Sequence, residues 1–169
     1  MDYLVILLRI VHILSGVFWV GGTLMAAFFL GPAVAANPQA GQPLNQHMIN
    51  KGRMSARLAA AAGLTVLAGI ILYLHDSQWL SSRWTTSGAG IGFAIGGIFG
   101  LIGFVTGIMV GRYNKAMAAL GAQIQGQPTP EQSASMGAIR AGLARMTPIT
   151  TVAQILALLF MAIARYFTF

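Results

Sequence analysis

Four long apolar stretches, separated by polar or turn-rich links, set the pattern of this chain. The first, residues 3–30, is almost unbroken hydrocarbon and closes at Gly31-Pro32. At about 1.5 Å per residue, such a helix outlasts a bilayer core of roughly 30 Å. Residues 33–43 (A-V-A-A-N-P-Q-A-G-Q-P) read as a loop, with a helix restarting near Leu44. That helix passes Lys51, Arg53 and Arg57 and enters the membrane as residues 58–74, ending at His75-Asp76. A short polar link with Trp79 and Trp84 follows, and both indoles suit a membrane–water interface. The third apolar stretch, residues 88–110, carries Gly92, Gly96 and Gly100, then Gly103, Gly107 and Gly111, each spaced by four. Small residues at that spacing let helix backbones touch in lipid. The helix emerges as a basic segment, 112–125, and a turn-rich link (G-Q-P-T-P-E) leads to a polar helix over 131–146. Pro148 predicts a kink or restart before the fourth stretch, 149–167.

These elements predict an all-α fold: one integral membrane domain, an antiparallel four-helix bundle with spans near 3–30, 57–75, 88–111 and 149–167. Composition agrees. Only 8% of the 169 residues are charged, against roughly 25% in soluble domains, and 56% are hydrophobic. The net charge of +7 does not imply nucleic acid, because the basic residues flank the apolar stretches, where membrane topology places them. The partner that composition implies is the lipid bilayer. Asp2 in place of a basic n-region, and an apolar run too long for an h-region, read as a retained first span. There are no cysteines, which removes thiolate metal sites and c-type haem attachment.

Orientation follows from the cations. Lys51, Arg53 and Arg57 lie in the first long connection, and Arg112, Lys115, Arg140 and Arg145 in the last. The opposite side has Arg9, Arg83 and Arg165. Both long connections are therefore expected in the cytoplasm, with both termini on the external face of the inner (plasma) membrane.

The candidate chemistry centres on His12. An ionisable ring inside a membrane helix needs a partner or a ligand. His12, Ser15, Gly16, Trp19, Gly22 and Thr23 form one stripe of small or polar positions, which faces protein. His12 lies 18 residues before Leu30, and His75 lies 18 residues after Arg57. Counted from those ends, both stand at about 27 Å and are expected at the same depth on antiparallel neighbours. Two facing imidazoles hold a b-type haem, and Arg9, Arg83 and Arg165 offer cations to its propionates. The plainer reading makes His12 an interhelical hydrogen-bonding group, to Thr or Gln154, and His75 a helix-end residue among headgroups. His47-Met48, with Met54, suggests copper by ligand type but fits no strong spacing. The carboxylates Asp2, Asp76 and Glu131 sit outside the spans, which argues against a proton-driven transporter.

The arrangement H-x6-W-x-G-G over 12–22, four spans and a final A-R-Y (164–166) resembles an uncharacterised bacterial family of four-helix integral membrane proteins. That family is distantly similar to the copper-resistance D family. It is also similar to the four-helix haem-containing membrane protoporphyrinogen oxidases. The resemblance implies a haem axial ligand at His12, with the second ligand on another helix. Three functions remain open on these residues. One is a small b-type cytochrome-like protein for electron transfer or haem-dependent oxidation, with His12, His75, Trp19, Arg9 and Arg165 as its site. Another is a non-catalytic subunit or scaffold of a larger membrane complex, or a homo-oligomer, docking through the Gly-rich third helix. The third is a metal or small-solute permease. Whether the protein is an enzyme stays open.

The topology is testable. A reporter fused after Phe169 is expected to be active only when it reads the external side; activity confined to the cytoplasm would invert the bundle.

Overall fold

A computed structural model describes residues 3–169, so Asp2 lies outside the described residues. The described chain is helical, with no strand among those residues. Four helical segments are long and apolar enough to cross a membrane: Tyr3–Ala36, Met54–Asp76, Gly88–Gln123 and Pro130–Tyr166. Large apolar side chains such as Leu14, Phe18, Leu64, Val105 and Leu159 stay exposed, which water would penalise and lipid does not. The protein is a multi-pass membrane protein, and its spans form an antiparallel four-helix bundle.

The expected loop over 33–43 is helical. Helix α1 (Tyr3–Met25) passes through a widened π-turn, Ala26–Leu30, into α2 (Gly31–Ala36). In that turn the Gly31 N–H reaches back five residues to the Ala26 carbonyl. A proline ring at 32 would otherwise collide with the carbonyl four residues earlier, and the widened turn relieves this. The corner is Asn37, and Pro38 opens α3 (Pro38–Asn50) in the first turn, where a missing N–H costs nothing. Gly41 lets α3 fold back on α2, because a Cβ there would lie 2.7 Å from Val34 Cα. The prolines read as stops thus serve as starts.

Helix α4 (Met54–Asp76) begins after Arg53, which has a left-handed φ of 50°. A turn with positive φ at Gln78, Trp79 and Leu80 and the short α5 (Ser82–Thr85) lead into α6 (Gly88–Gln123). Helix α7 (Pro130–Ile163) opens on a reciprocal cap. The Gln132 N–H donates to Thr129 Oγ1 at 3.2 Å, and the Thr129 N–H donates to Gln132 Oε1 at 2.9 Å. Of the kink or restart expected at Pro148, the restart is absent. The helix runs through it, and the Thr150 and Thr151 hydroxyls donate to the Met146 and Thr147 carbonyls in the same turn. A 3-10 turn, Ala164–Tyr166, ends it. The 36 residues of α6 measure about 54 Å, so it projects well beyond a bilayer core at its C-terminal end.

One end of the bundle gathers Arg9, His75, Asp76, Arg83 and Arg165, where the Gly88 N–H donates to the Phe169 carbonyl. This is the terminal end; the other, with α3 and the connection from α6 to α7, is the basic end.

Helices α6 and α7 pack through glycine. A Cβ on Gly92 would lie 2.9 Å from Ala164 Cα, on Gly96 3.2 Å from Met161 Cγ, and on Gly103 3.0 Å from Gln154 Cγ. Gly100, expected on the same ridge, meets nothing within 4 Å. Helical geometry explains the difference. At about 100° per residue, Gly88, Gly92, Gly96 and Gly103 share an arc of roughly 80°, while Gly100 has turned roughly 120° from Gly88 and leaves it. Against α4, α1 sets Gly16 beside Thr65 and Gly22 beside Leu58, around a core of Trp19, Val20, Ala61 and Ala62.

Gly92→Ala is expected to destabilise the protein by about 1–3 kcal/mol through overpacking against Ala164. Gly100→Ala is expected to be neutral or stabilising by about 0.5–1 kcal/mol, from helix propensity alone. Thermal unfolding of the two variants in detergent separates them; equal midpoints would contradict this packing.

Candidate functional site

His12 sits between α1 and α4. The His12 Nδ1 lies 2.8 Å from the Thr65 carbonyl oxygen. A carbonyl only accepts, so Nδ1 carries a proton, and in the neutral ring the lone pair is on Nε2. No hydrogen-bond partner for Nε2 occurs among the described residues, and the ring is half-buried. The bond exists because of Gly69. In a helix the side chain at i+4 covers the carbonyl at i, and glycine leaves that of Thr65 open. A Cβ at 69 would stand 2.8 Å from His12 Cε1 and 3.0 Å from Nδ1. One turn along, Ser15 Oγ and Thr65 Oγ1 are 2.8 Å apart, and Thr65 Oγ1 donates to the Ala61 carbonyl. The expected interhelical bond of His12 is therefore present, but to backbone, and neither a threonine hydroxyl nor Gln154 is its partner.

The depth expected for His75 needs correction. Level with His12 on α4 are Thr65 and Gly69, and His75 lies six residues past Gly69, about 9 Å of helical rise. The structure does not bring the two rings together. The count failed because it started from assumed span ends, whereas α1 continues through 36 and the register is fixed where small residues meet large ones. His75 is half-exposed, its Nδ1 3.2 Å from Asp76 Oδ1. Arg9 pairs with the same carboxylate, Nη2 to Oδ2 at 3.4 Å. That exposed pair is worth about 0–1 kcal/mol. Arg83 is on α5 and Arg165 in the closing 3-10 turn, both exposed.

Trp19 is 5% exposed and meets Phe104 edge-on, centroids 6.4 Å apart at 87°. It lines a cavity of about 520 Å³ that opens at the basic end; His12, two turns away, does not line it. Beside Trp19, Thr23 Oγ1 donates to the Trp19 carbonyl, and Gln154 Nε2 approaches Thr23 Oγ1 at 3.5 Å. Gln154 is 1% exposed, and its Oε1 has no partner among the described residues. Arg165 follows Ala164, which meets Gly92 near the N-terminal end of α6, so it belongs to the terminal end of the bundle.

Thr65 and Gly69 escaped the sequence reading as site residues, although A-x-x-x-T-x-x-x-G over 61–69 carries the signal: small side chains four apart on the helix facing His12. His47 is exposed on α3, and among the described residues no three histidine, aspartate or glutamate side chains gather as a metal group. What the fold defines is a class, the four-helix membrane bundle with one half-buried imidazole between its first two spans. Compared with known proteins, the chain matches no family model, no curated sequence and no solved structure, so the resemblance carried by His12, Trp19 and Gly21 rests on those residues.

Gly69→Ala is expected to cost about 1–3 kcal/mol where His12 is present and little where His12 is Ala, because the added methyl meets only the imidazole. A double-mutant cycle on thermal stability measures this; additive effects would place the ring elsewhere.

Proposed function

We propose that this is a small b-type haem protein of the membrane, with His12 as the residue that would hold its iron. The observation that supports it is the hydrogen bond from His12 Nδ1 to the Thr65 carbonyl. Such a bond fixes the tautomer, orients the ring and raises the basicity of Nε2, the nitrogen left to bind iron. The donor set fits one imidazole and not two, since His75 is about 9 Å of rise beyond the level of His12. Arg9, one turn from His12 toward the terminal end, and Arg165, in the closing turn at that end, are the cations for propionates; Arg9 gives up only a weak exposed pair to serve. A bound haem supplies one-electron chemistry, tuned by its axial ligand and surroundings. Thr65 and Gly69 hold the ligand, and the apolar flanks of α1 and α4 keep water from it. By the positive-inside rule the basic end lies in the cytoplasm, which puts His12 in the outer half of the plasma membrane.

The test is spectroscopic. Protein expressed with ample haem is expected to show a Soret band that His12→Ala abolishes and His75→Ala retains. Its ferric form is expected to be high-spin, as for a single imidazole. A haem-supplied wild type without a Soret band overturns the reading and leaves His12 as a packing residue. A low-spin bis-imidazole spectrum lost in His75→Ala overturns the single-ligand arrangement.

A further inference from the structure

The cavity that Trp19 lines lies apart from His12 and has its own chemistry. All four spans wall it: Trp19 from α1, Leu58 from α4, Phe104 from α6 and Thr150 from α7. At about 520 Å³ it falls within the roughly 300–1,000 Å³ of ligand sites. Its lining is basic at one end, where Arg112 and Lys115 stand one turn apart on α6, and no carboxylate lines the cavity. Among the described residues neither cation has an ion-pair partner; Asp76 is at the opposite end, paired with Arg9 and His75. From Arg112 to Phe104 is eight residues, so the apolar part extends about 12 Å inward from the charges. At the inner end Trp19 is 5% exposed.

We propose that this cavity is a binding site for one anionic phospholipid, its acyl chain between the four spans and its phosphate on Arg112 and Lys115. Basic pockets between membrane helices on the cytoplasmic side suit such headgroups. The apolar walls favour a chain, and cations without counter-charges favour an anion. Cations that merely obeyed the positive-inside rule would attract anionic lipid around the protein, but would not draw a chain to Trp19.

Trp19 is the reporter. With Trp79→Phe and Trp84→Phe it becomes the only tryptophan, and vesicles with brominated acyl chains quench it on contact. Brominated phosphatidylglycerol is expected to outcompete brominated phosphatidylcholine roughly thirtyfold for quenching Trp19, as two cations near the surface predict. Arg112→Gln with Lys115→Gln is expected to erase that preference. Gly107→Leu is expected to reduce quenching by filling the cavity; a Cβ at 107 makes only an ordinary 3.7 Å contact with Thr150 Cγ2, so a side chain can leave the backbone there. Equal quenching by the two lipids overturns the proposal, as does a preference that survives loss of both cations, or quenching unchanged in Gly107→Leu. A Trp19 emission change driven by millimolar inorganic phosphate and indifferent to lipid would make the occupant a soluble anion, and the lipid assignment wrong.

Discussion

Close backbone approach without a hydrophobic driving force is the constraint on which this bundle depends. Between helices in lipid, hydrocarbon gains nothing by leaving hydrocarbon, so association rests on dispersion contacts and hydrogen bonds, and both demand proximity. Small residues supply it. On α1 and α4 they place Gly16 at Thr65, Gly22 at Leu58 and Gly69 at His12; on α6 and α7 they place Gly92 at Ala164, Gly96 at Met161 and Gly103 at Gln154. Each list fixes a register, and the register fixes the depth of every polar group. The bundle is two tight hairpins, and α1 meets α7 only sparsely.

Polar side chains inside such a bundle must find acceptors locally, and most do. Ser15, Thr23, Thr65, Thr106, Thr150 and Thr151 each donate to the carbonyl four residues earlier, a bond that needs no other helix. These hydroxyls therefore say little about function, even where they cluster. His12 and Gln154 cannot use that device, since their rigid or longer side chains reach across to a neighbouring helix. Each keeps one atom unpaired among the described residues, Nε2 on one and Oε1 on the other. The distinction matters because an unpaired polar atom in a low-dielectric interior is costly unless something meets it.

The four spans were legible because hydrocarbon runs of bilayer length have few other uses. The link between the first two spans was not. Pro32 and Pro38 carry the same local signal whether they stop a helix or start one, and the π-turn that decides the matter is a response to packing that no local pattern announces. The glycine run was half legible: residues four apart drift around the helix, so a run read as one ridge, Gly92 to Gly100, leaves the interface partway. His12 was legible as a buried polar position. Its partner was not, because a backbone carbonyl has no sequence of its own. The depth of His75 was misjudged for a related reason: counting residues from a span's end assumes that end, and the real register came from Gly16, Gly22 and Gly69.

The same α1 serves two places with different chemistry, and helical geometry keeps them apart. His12 and Trp19 are seven residues from each other, close to two full turns, so they face the same side about 10 Å apart in depth. That spacing in a sequence suggests a shared pocket, with the indole beside the imidazole. The packing of α4 decides otherwise. Opposite His12, Gly69 brings the helices close enough that the ring fills the space itself, with a missing Cβ as its only clearance. Opposite Trp19, Ala61 and Ala62 are small, and the indole extends past them to Phe104 on α6, at the inner wall of the cavity. The tight level offers a single nitrogen and no cavity between α1 and α4; the open level offers volume, a basic end and no titratable ring. A ligand at His12 must therefore approach from the flank of the α1–α4 pair, whereas a ligand at Trp19 enters between the spans. Occupancy of one need not alter the other, since Trp19 is held by its own core of Val20, Ala61 and Ala62.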